Sequence, residues 1–484
     1  MKKYLIILFI TLLANYTFAQ IQLEQTSLTE REVIGNLSVP WEIKWGPDDH
    51  IWMTQRNGIV SRVNVETGQE SIILALSSNQ IYDFQESGLL GMEIHPDFNE
   101  GSPYVFLAYV SNSSVEERIV RLEYDFDNDI LTNEIIMVDG IDGATTHIGC
   151  RLLATDNTTL LATTGDAQDW MASQDETALT GKTLRIDIDA NGDNFGQPKA
   201  DNPSSNSYVW SIGHRNAQGL ALGPNGIIYS SEHGPNGDDE LNILEADGNF
   251  GWPNAQGMCD NLPTSDVNDY IYYANDLSNS YTETDFCNEY NIIEPLWSTG
   301  AFINESTTIA PSDIIWYDHP SIPEFQNTLL MTVLKDKKLV RFEFNSSGDE
   351  IIGETDFFNN EWGRLRDICV SPDGKIYLAT NGNSYSSESG HKIIELYNAE
   401  YDASSIEEND QENIKFYPNP IAKDGVLYFQ NYDKPFHLNI SNLQGQIVYS
   451  NKLQERSLLI QGLFESGIYF LRTNNGINTK LIVK

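Results

Sequence analysis

One local pattern recurs six times between Val33 and Tyr397 and limits the folds that this chain can adopt. Each copy is a short apolar run, a tight turn rich in Gly, Pro, Asn or Asp, and a second apolar run. Most copies continue into a third run in which apolar and polar residues alternate, as on a half-buried strand. The turns lie at residues 46–49, 95–98, 154–157, 223–226, 325–327 and 371–374. Six such units predict an all-β fold, a six-bladed β-propeller, rather than an open sandwich, which would not repeat the turn.

Composition and the N-terminus together indicate an exported protein that does not bind nucleic acid. The 484-residue chain has a formal net charge of −41, whereas binding to phosphates needs a basic surface. Residues 1–19 combine a basic start, a short apolar core and a small final residue, which predicts a signal peptide. That core is too short to span a bilayer, and we expect no transmembrane segment elsewhere. In an oxidising compartment we expect Cys259 and Cys287 to form a disulfide, and Cys150 and Cys369 to be buried thiols.

The composition changes after the last repeat. We assign residues 20–398 to the propeller and the polar, acidic residues 399–412 to a linker. Residues 413–484 alternate in polarity and predict a small C-terminal β-sandwich. Through the FYPNP motif at 416–420, the GIYFL strand at 467–471 and the terminal KLIVK, this module resembles the C-terminal sorting domain of proteins exported by the type IX secretion system. The resemblance implies that the type IX secretion machinery is a partner and that the protein is secreted or lies at the cell surface; a carbohydrate-binding appendage is the alternative.

Two polar loops follow one another closely in the middle of the chain. The first contains Arg215 and Asn216, whose guanidinium and amide suit the carboxylate or carbonyl oxygens of a ligand. The second contains Gly234 and Pro235, whose carbonyls can face outward, and then three acids at 238–240. Oxygen ligands of this kind suit a hard cation such as calcium. The alternative is an ordinary turn followed by a solvated acidic surface.

Further polar residues lie beside predicted strand ends, among them His147, Asp166, Thr308, Lys335, Arg364 and Arg366. Since the chain has only 29 Lys and Arg residues, cations that collect from separate repeats are informative. Alternation along an extended segment places Arg364 and Arg366 on one face. The pattern predicts a pocket for a polyanion, although pairing with the abundant acids is the alternative for each single cation.

Residues 39–397 resemble the soluble pyrroloquinoline-quinone-dependent glucose/sorbosone (aldose sugar) dehydrogenases, which are six-bladed propellers that contain calcium. The shared motifs occur in the same order over most of the chain. They include residues 88–91 before 95–98, 213–221, 234–240, 249–253, 308–312 and 364–367. The resemblance therefore extends to fold, cofactor and site residues.

The resemblance implies a role for each site residue. His147 would be the general base that accepts the hydroxyl proton, Asp166 would orient it, and Arg215 would stabilise charge on the quinone oxygen. The positions that would hold pyrroloquinoline quinone, which carries three carboxylates, are Glu86, Asn216, Thr308, Lys335, Arg364 and Arg366. Glu86 stands where glucose-active members have Gln. The carbonyls of Gly234 and Pro235 would bind calcium, Ca²⁺.

The implied function is a secreted quinoprotein oxidoreductase that transfers hydride from an aldose-type sugar to the quinone, and then electrons to an acceptor that the sequence does not identify. Two alternatives belong to other classes. A propeller that serves as a non-catalytic binding module at the cell surface would have no activity with cofactor and calcium. A calcium-dependent, lactonase-like hydrolase would turn over lactones without quinone.

Overall fold

The computed structural model describes residues 19–204, 206–262, 282–301, 306–385, 390–401, 415–423, 425–430, 436–442, 447–453, 457–464, 466–473 and 478–484. The predicted signal peptide, apart from its last residue, and residues 402–412 of the predicted linker lie outside these ranges. The chain divides into two compact units, residues 1–400 and 401–484.

The first unit consists of antiparallel sheets that follow one another along the chain. It begins with β1 (Ala19–Gln22) and β2 (Ser27–Gly35). The next two sheets comprise β3 (Pro40–Trp45), β4 (His50–Gln55), β5 (Ile59–Asn64) and β6 (Glu70–Ala75), then β7 (Leu89–Ile94), β8 (Tyr104–Ser111), β9 (Glu116–Asp125) and β10 (Ile130–Asp142). The third and fourth comprise β11 (Gly149–Asp156), β12 (Thr159–Thr164), β13 (Lys182–Asp187) and β14 (Val209–Ile212), then β15 (Ala217–Leu222), β16 (Ile228–Glu232), β17 (Glu240–Ile243) and β18 (Trp297–Ser298). The fifth comprises β19 (Pro311–Tyr317), β20 (Thr328–Val333), β21 (Lys338–Phe344) and β22 (Ile351–Phe357).

The last sheet of the first unit joins the two ends of the unit. Strands β23 (Leu365–Val370), β24 (Ile376–Thr380) and β25 (Lys392–Asn398) pair in that order, and β25 then pairs with β2 and β2 with β1. The first strands of the sheets, β3, β7, β11, β15, β19 and β23, contact one another in sequence, and β23 contacts β3. The ring of sheets is therefore closed, as in a β-propeller.

The core of the first unit lies between the faces of neighbouring sheets. Strands such as β8, β12 and β20, which consist of apolar residues and small hydroxyl residues with the one exception of the tyrosines of β8, are buried on both faces. One cluster packs Trp52 of one sheet against Leu107 of the next, and another packs Ile43 against Ile393 across the closure. Each sheet thus buries its apolar faces against two neighbours, and the loops at one end of the ring are left to carry the polar residues described below.

An insertion between β17 and β18 carries α1 (Glu283–Tyr290), which sequence patterning did not predict because it is only two turns long. Thr282 and Asp285 form a capping box at its start. The predicted disulfide between Cys259 and Cys287 is confirmed, and the other two cysteines are buried free thiols as expected. Short 3-10 turns occur at Phe98–Glu100, Trp170–Gln174 and Pro224–Gly226. Within the described residues, we find no helix with the length and apolarity that a membrane crossing requires.

The second unit contains two antiparallel sheets. One has the order β26 (Lys415–Tyr417), β27 (Val426–Gln430) and β30 (Ser457–Leu459). The other has the order β29 (Ile447–Leu453), β28 (Phe436–Ser441), β31 (Gly467–Thr473) and β32 (Asn478–Val483). Leu427 of the first sheet and Leu438 and Leu481 of the second belong to one buried cluster. This unit therefore has a core of its own.

Candidate active site

His147, Asp166 and Arg215 are joined in one hydrogen-bonded chain. The first two come together because His147 precedes β11, Asp166 follows β12, and Gly149 of β11 pairs with Thr164 of β12. The Nδ1 atom of His147 lies 2.9 Å from Oδ1 of Asp166, and its Nε2 atom lies 3.0 Å from Nη2 of Arg215. Since a guanidinium can only donate, Nε2 accepts and Nδ1 carries the hydrogen that is donated to Asp166. The contacts thus fix one neutral tautomer, with its lone pair directed toward Arg215.

The backbone at His147 adopts a conformation that few side chains accept. Its φ angle is 58°, in the left-handed region. The N–H group of His147 donates to Oε2 of Glu86 at 3.0 Å. A Cβ atom on Gly165 would lie 1.8 Å from the carbonyl oxygen of His147, so only glycine permits this approach. Contacts from two other segments therefore hold the histidine in place.

Asp166 is fully buried and accepts hydrogen bonds from several donors besides His147. Nε1 of Trp252 donates to Oδ2 at 2.9 Å, and the N–H of Gln168 donates to Oδ1 at 2.8 Å. The Trp252 ring also lies 5.3 Å from the guanidinium of Arg215. Sequence reasoning gave Trp252 no role; its place in the 249–253 motif was the one signal available.

Glu232 holds the segment that carries Arg215 and Asn216. Its buried carboxylate accepts the backbone N–H groups of Arg215 and Asn216, the latter at 3.1 Å. It also lies 3.0 Å from Nδ1 of the buried His214. Asn216 is 2% exposed, and its amide oxygen accepts from the N–H of Gly149 at 3.1 Å. Asn216 therefore ties the arginine segment to the histidine segment, a structural contact that its sequence position did not predict.

A cavity of about 320 Å³, the central cavity, opens beside His147, Asp166 and Arg215. Among the described residues that line it are four cations, Arg56, Lys335, Arg364 and Arg366, and a single carboxylate, Glu86. Trp41, Leu334 and Tyr385 add apolar surface, and His233, which also lines the cavity, accepts a hydrogen bond from Arg215 at its carbonyl oxygen. Positive charge is therefore concentrated at this cavity, although the chain as a whole has a net charge of −41.

The charges of Arg364 and Arg366 are poorly compensated. The two residues are 9% and 8% exposed, and their Nε atoms have no hydrogen-bond partner among the described residues. Burial lowers the pKa of Arg366 to about 9, with a further contribution from Arg364, and burial also lowers the pKa of Arg364. Gln218 accepts from Nη1 of Arg366 at 2.7 Å, but it is neutral. Such a pair fits a ligand that brings its own negative charge.

Tyr385 and Glu86 form one wall of the cavity. The Tyr385 hydroxyl donates to Oε1 of Glu86 at 3.1 Å, and the guanidinium of Arg364 lies 5.9 Å from the ring of Tyr385. Burial and the neighbouring Glu86 raise the pKa of Tyr385 to about 12. Lys335 donates to the Ser306 hydroxyl at 3.0 Å. Tyr385 was missed because its Gly-, Asn- and Ser-rich loop has no periodicity that predicts where a side chain points.

The loop after β16 differs in part from expectation. Asp239 does not face outward: its buried carboxylate accepts from the Thr308 hydroxyl at 2.9 and 2.8 Å, and from the N–H groups of Gly234 and Ala310 at 2.9 and 3.0 Å. Thr308, which had been assigned to cofactor binding, therefore anchors this loop. Among the described residues, no group of three or more His, Cys, Asp or Glu side chains is arranged to hold a metal ion. The three acids at 238–240 thus do not form such a group, and the predicted calcium ligands remain the carbonyls of Gly234 and Pro235.

The backbone carbonyls of the same loop remain suited to a cation. A Cβ on Gly234 would lie 1.9 Å from the carbonyl oxygen of Gly237, so the turn requires glycine. The carbonyl oxygens of Gly234 and Pro235 accept no hydrogen bond from any described residue. Two oxygens of the type that calcium prefers are therefore free for a ligand.

Comparison with known proteins extends over both units. Residues 37–387 match the family described as glucose/sorbosone dehydrogenase, and residues 415–484 match the secretion system C-terminal sorting domain. The chain is 27% identical over 417 residues to quinoprotein glucose dehydrogenase B of Acinetobacter calcoaceticus. This alignment covers 73% of this chain and 85% of the relative. It is 25% identical over 360 residues to the aldose sugar dehydrogenase YliI of Escherichia coli, with 72% and 88% covered.

A solved structure gives the same assignment. The quinone (PQQ)-bound form of aldose sugar dehydrogenase from Streptomyces coelicolor aligns with a TM-score of 0.58 and 26% identity, over 76% of this chain and 98% of that one. The C-terminal match indicates secretion with sorting to the cell surface. Since the first match spans most of the chain, the protein belongs to the glucose/sorbosone dehydrogenase family, a family of oxidoreductases.

Proposed function

We propose that this protein is a secreted quinoprotein that oxidises an aldose-type sugar to a lactone, with pyrroloquinoline quinone and calcium as cofactors. The observation that carries the proposal is the chain Asp166–His147–Arg215 beside a cavity lined by four cations. A base of fixed tautomer next to a site for a polyanion is what a hydride transfer to an anionic cofactor requires.

The residues of the cavity fit this cofactor. Arg364, Arg366 and Lys335 would bind its carboxylates, since the two arginines are buried with unpaired Nε atoms. The carbonyls of Gly234 and Pro235 would hold calcium. When bound, pyrroloquinoline quinone supplies the acceptor for the hydride and calcium supplies a Lewis acid. Trp41 and Tyr385 would provide flat surfaces against which a fused-ring cofactor can pack.

The protein residues would move the proton. His147 would accept the proton of the sugar hydroxyl at Nε2, while the hydride leaves the carbon that bears this hydroxyl. Asp166 would stabilise the resulting imidazolium, since its carboxylate already accepts the Nδ1 hydrogen at 2.9 Å. In the structure, Nε2 accepts from Arg215, so the sugar hydroxyl must share or displace that donor. Arg215 would then be free to stabilise negative charge on the cofactor.

We further infer the finer organisation of the chain. The closed ring of sheets would be a six-bladed propeller over residues 20–398. Residues 413–484, within the second unit, would be a β-sandwich that the type IX machinery recognises. Residues 1–19 would be removed as a signal peptide, and 399–412 would be the linker. Support comes from the ring of contacts that ends with β23 against β3, and from the separate core of the second unit.

The test is a dye-linked assay on the purified chain supplied with the quinone and calcium, with a panel of aldoses. We expect reduction of the dye, and we expect His147→Ala to lower kcat by roughly 10²–10⁴-fold with quinone binding retained. His50→Ala, which removes a half-buried histidine of β4 outside the site, is the matched control and should act as the unsubstituted protein does. Absence of quinone binding at micromolar concentration, or full activity of His147→Ala, would overturn the proposal. Lactone turnover without quinone would favour the hydrolase instead.

A further inference from the structure

A second, larger cavity lies at the outer edge of the third sheet, alongside β14. Its volume is about 690 Å³, within the range of roughly 300–1,000 Å³ that is usual for ligand sites. Trp210 and Ser211 of β14 form one side, and Phe286 and Tyr290 of α1 form another. None of its described lining residues lines the central cavity.

The aromatic side of this second cavity is held in a fixed position. Tyr290 is 50% exposed, and its ring packs on that of the buried Phe286 with centroids 4.6 Å apart. The disulfide at Cys287 and the capping box at Thr282 fix the short helix that carries both rings. A helix of this length would be marginal on its own, so the disulfide and the capping box stabilise the position of Tyr290.

The remaining lining is polar and lacks cations. Gln174 and Asn249 exchange two hydrogen bonds of 3.0 and 2.8 Å, and the amide oxygen of Asn254 has no partner among the described residues. Glu176 and Asp247 are exposed carboxylates. The described lining contains neither Lys nor Arg, so an anionic ligand is disfavoured.

We propose that this second cavity binds a neutral oligosaccharide. The apolar face of a sugar ring packs on an exposed aromatic ring, while its hydroxyl groups, which donate and accept, suit neighbouring amides and carboxylates. The cavity also adjoins the candidate active site. Gln174 donates to the carbonyl oxygen of Trp252 at 2.7 Å, and Trp252 donates to Asp166. A saccharide held there would be kept close to the site where, on the proposed function, sugars are oxidised.

The binding is tested on the full chain without quinone, so that the result does not depend on turnover. Titration calorimetry with maltohexaose, cellohexaose and laminarihexaose should give saturable binding for at least one of the three. Tyr290→Ala should weaken that binding by about threefold to tenfold, the usual weight of an aromatic contact. Asn254→Ala should weaken it too, and serves as a second variant should Tyr290→Ala fold poorly.

The matched control is Phe126→Ala, which removes an aromatic side chain that is 61% exposed in the turn between β9 and β10, away from this cavity. This variant should bind as the unsubstituted protein does. The inference would be overturned if none of the three saccharides gave saturable heat. It would also be overturned if the Tyr290→Ala and Asn254→Ala variants bound the saccharide with the affinity of the unsubstituted protein. Dye-linked oxidation of a monosaccharide should be unchanged in Tyr290→Ala. Saccharide binding without any quinone-dependent turnover would instead refute the proposed function and leave this inference standing.

Discussion

A buried guanidinium without a carboxylate partner costs stability. Arg364 and Arg366 lie together at the wall of the central cavity, and neither pairs with a carboxylate among the described residues. Elsewhere the chain surrounds a buried arginine with acids, as at Arg151, so the shortage of acids here is local. Binding sites are often less stable than the rest of a protein because their groups are arranged for a ligand. The two arginines fit that description.

The first prediction concerns Arg366→Gln. Loss of one charge-assisted contact should weaken binding of pyrroloquinoline quinone by roughly 10- to 100-fold. Burial lowers the pKa of Arg366 to about 9, which means that its charge is unfavourable in the folded protein. Because Arg366→Gln removes this charge, the unfolding midpoint of the quinone-free protein should stay equal or rise. Equilibrium dialysis measures the affinity, and thermal unfolding the stability.

Arg185→Gln, on the surface of β13 with Asp201 as its partner at 2.8 Å, is the control for Arg366→Gln and should leave affinity unchanged. A stability loss in Arg366→Gln that matches its loss of affinity would mean that the arginine is structural. A site for the cofactor carboxylates would then have to be sought elsewhere.

At the scale of single residues, sequence patterning identified residues that the structure collects at one end of the ring, but it did not predict the protein contacts of Thr308 and Asn216. His147, Asp166 and Arg215 stand next to strand ends, where the turn pattern already locates them. The partners of Thr308 and Asn216 are 69 and 67 residues away in the chain. No local pattern encodes such contacts, since they depend on how whole sheets pack.

Among single strands, β9 carries a buried acid whose titration should make stability depend on pH. Glu117 is 1% exposed, and its Oε1 atom has no partner among the described residues. Burial raises its pKa from 4.5 to about 8, opposed only by the Cys150 thiol. Between these two values the folded state holds a proton that the unfolded state has released. Stability conferred by the neutral form is therefore present below about pH 4.5 and is lost as the pH rises toward 8.

The second prediction follows from that sign. Glu117→Gln keeps the shape and removes the titration, so the variant should match the unsubstituted protein near pH 4 and exceed it in unfolding free energy at pH 7 by on the order of 3 kcal/mol. Urea unfolding of the full chain at several pH values measures the difference. Glu116→Gln, at the half-buried neighbour on the same strand, should keep the slope of the unsubstituted protein. Parallel curves for both variants would contradict the assignment.

Strands were more predictable than the elements between and around them. The hairpins follow from turn residues and alternation, both of which are local. The turns predicted at 46–49 and 371–374 lie between β3 and β4 and between β23 and β24. The closure by β2 against β25 joins residues more than 350 apart, as in the pair Arg31 and Glu395. The short helix α1 depends on a disulfide and a cap rather than on a long apolar stripe. Neither feature leaves a periodic signal in the sequence.

On the scale of the whole first unit, a buried ionic cluster links the ring of sheets across its centre. Arg151 of β11 pairs with Glu42 of β3, with Asp367 of β23 at 2.8 Å and with Asp313 of β19 at 3.4 Å. Its Nε atom donates to the carbonyl of Gln218 in β15 at 2.7 Å. One side chain therefore contacts the first strands of four other sheets. The same cluster supports the floor of the cavity, since Trp41 lies 4.4 Å from the Arg151 guanidinium and Gln218 holds Arg366.

The last prediction is that Arg151→Met destabilises the first unit because it removes the cation of this buried cluster. The volume is nearly kept, but Glu42, Asp313 and Asp367 lose their shared cation while they stay buried, which should cost the first unit about 3–5 kcal/mol. Arg185→Met, which breaks an exposed pair, should cost about 1 kcal/mol or less. Calorimetry of the full chain distinguishes the two, and the transition of the second unit should not move because that unit has its own core. Adding Asp367→Asn to Arg151→Met should recover part of the loss, because Asp367 loses its cation whereas Glu42 keeps Lys44 at 3.2 Å. If Arg151→Met costs no more than Arg185→Met, the cluster does not hold the ring, and apolar packing between the sheets does so alone.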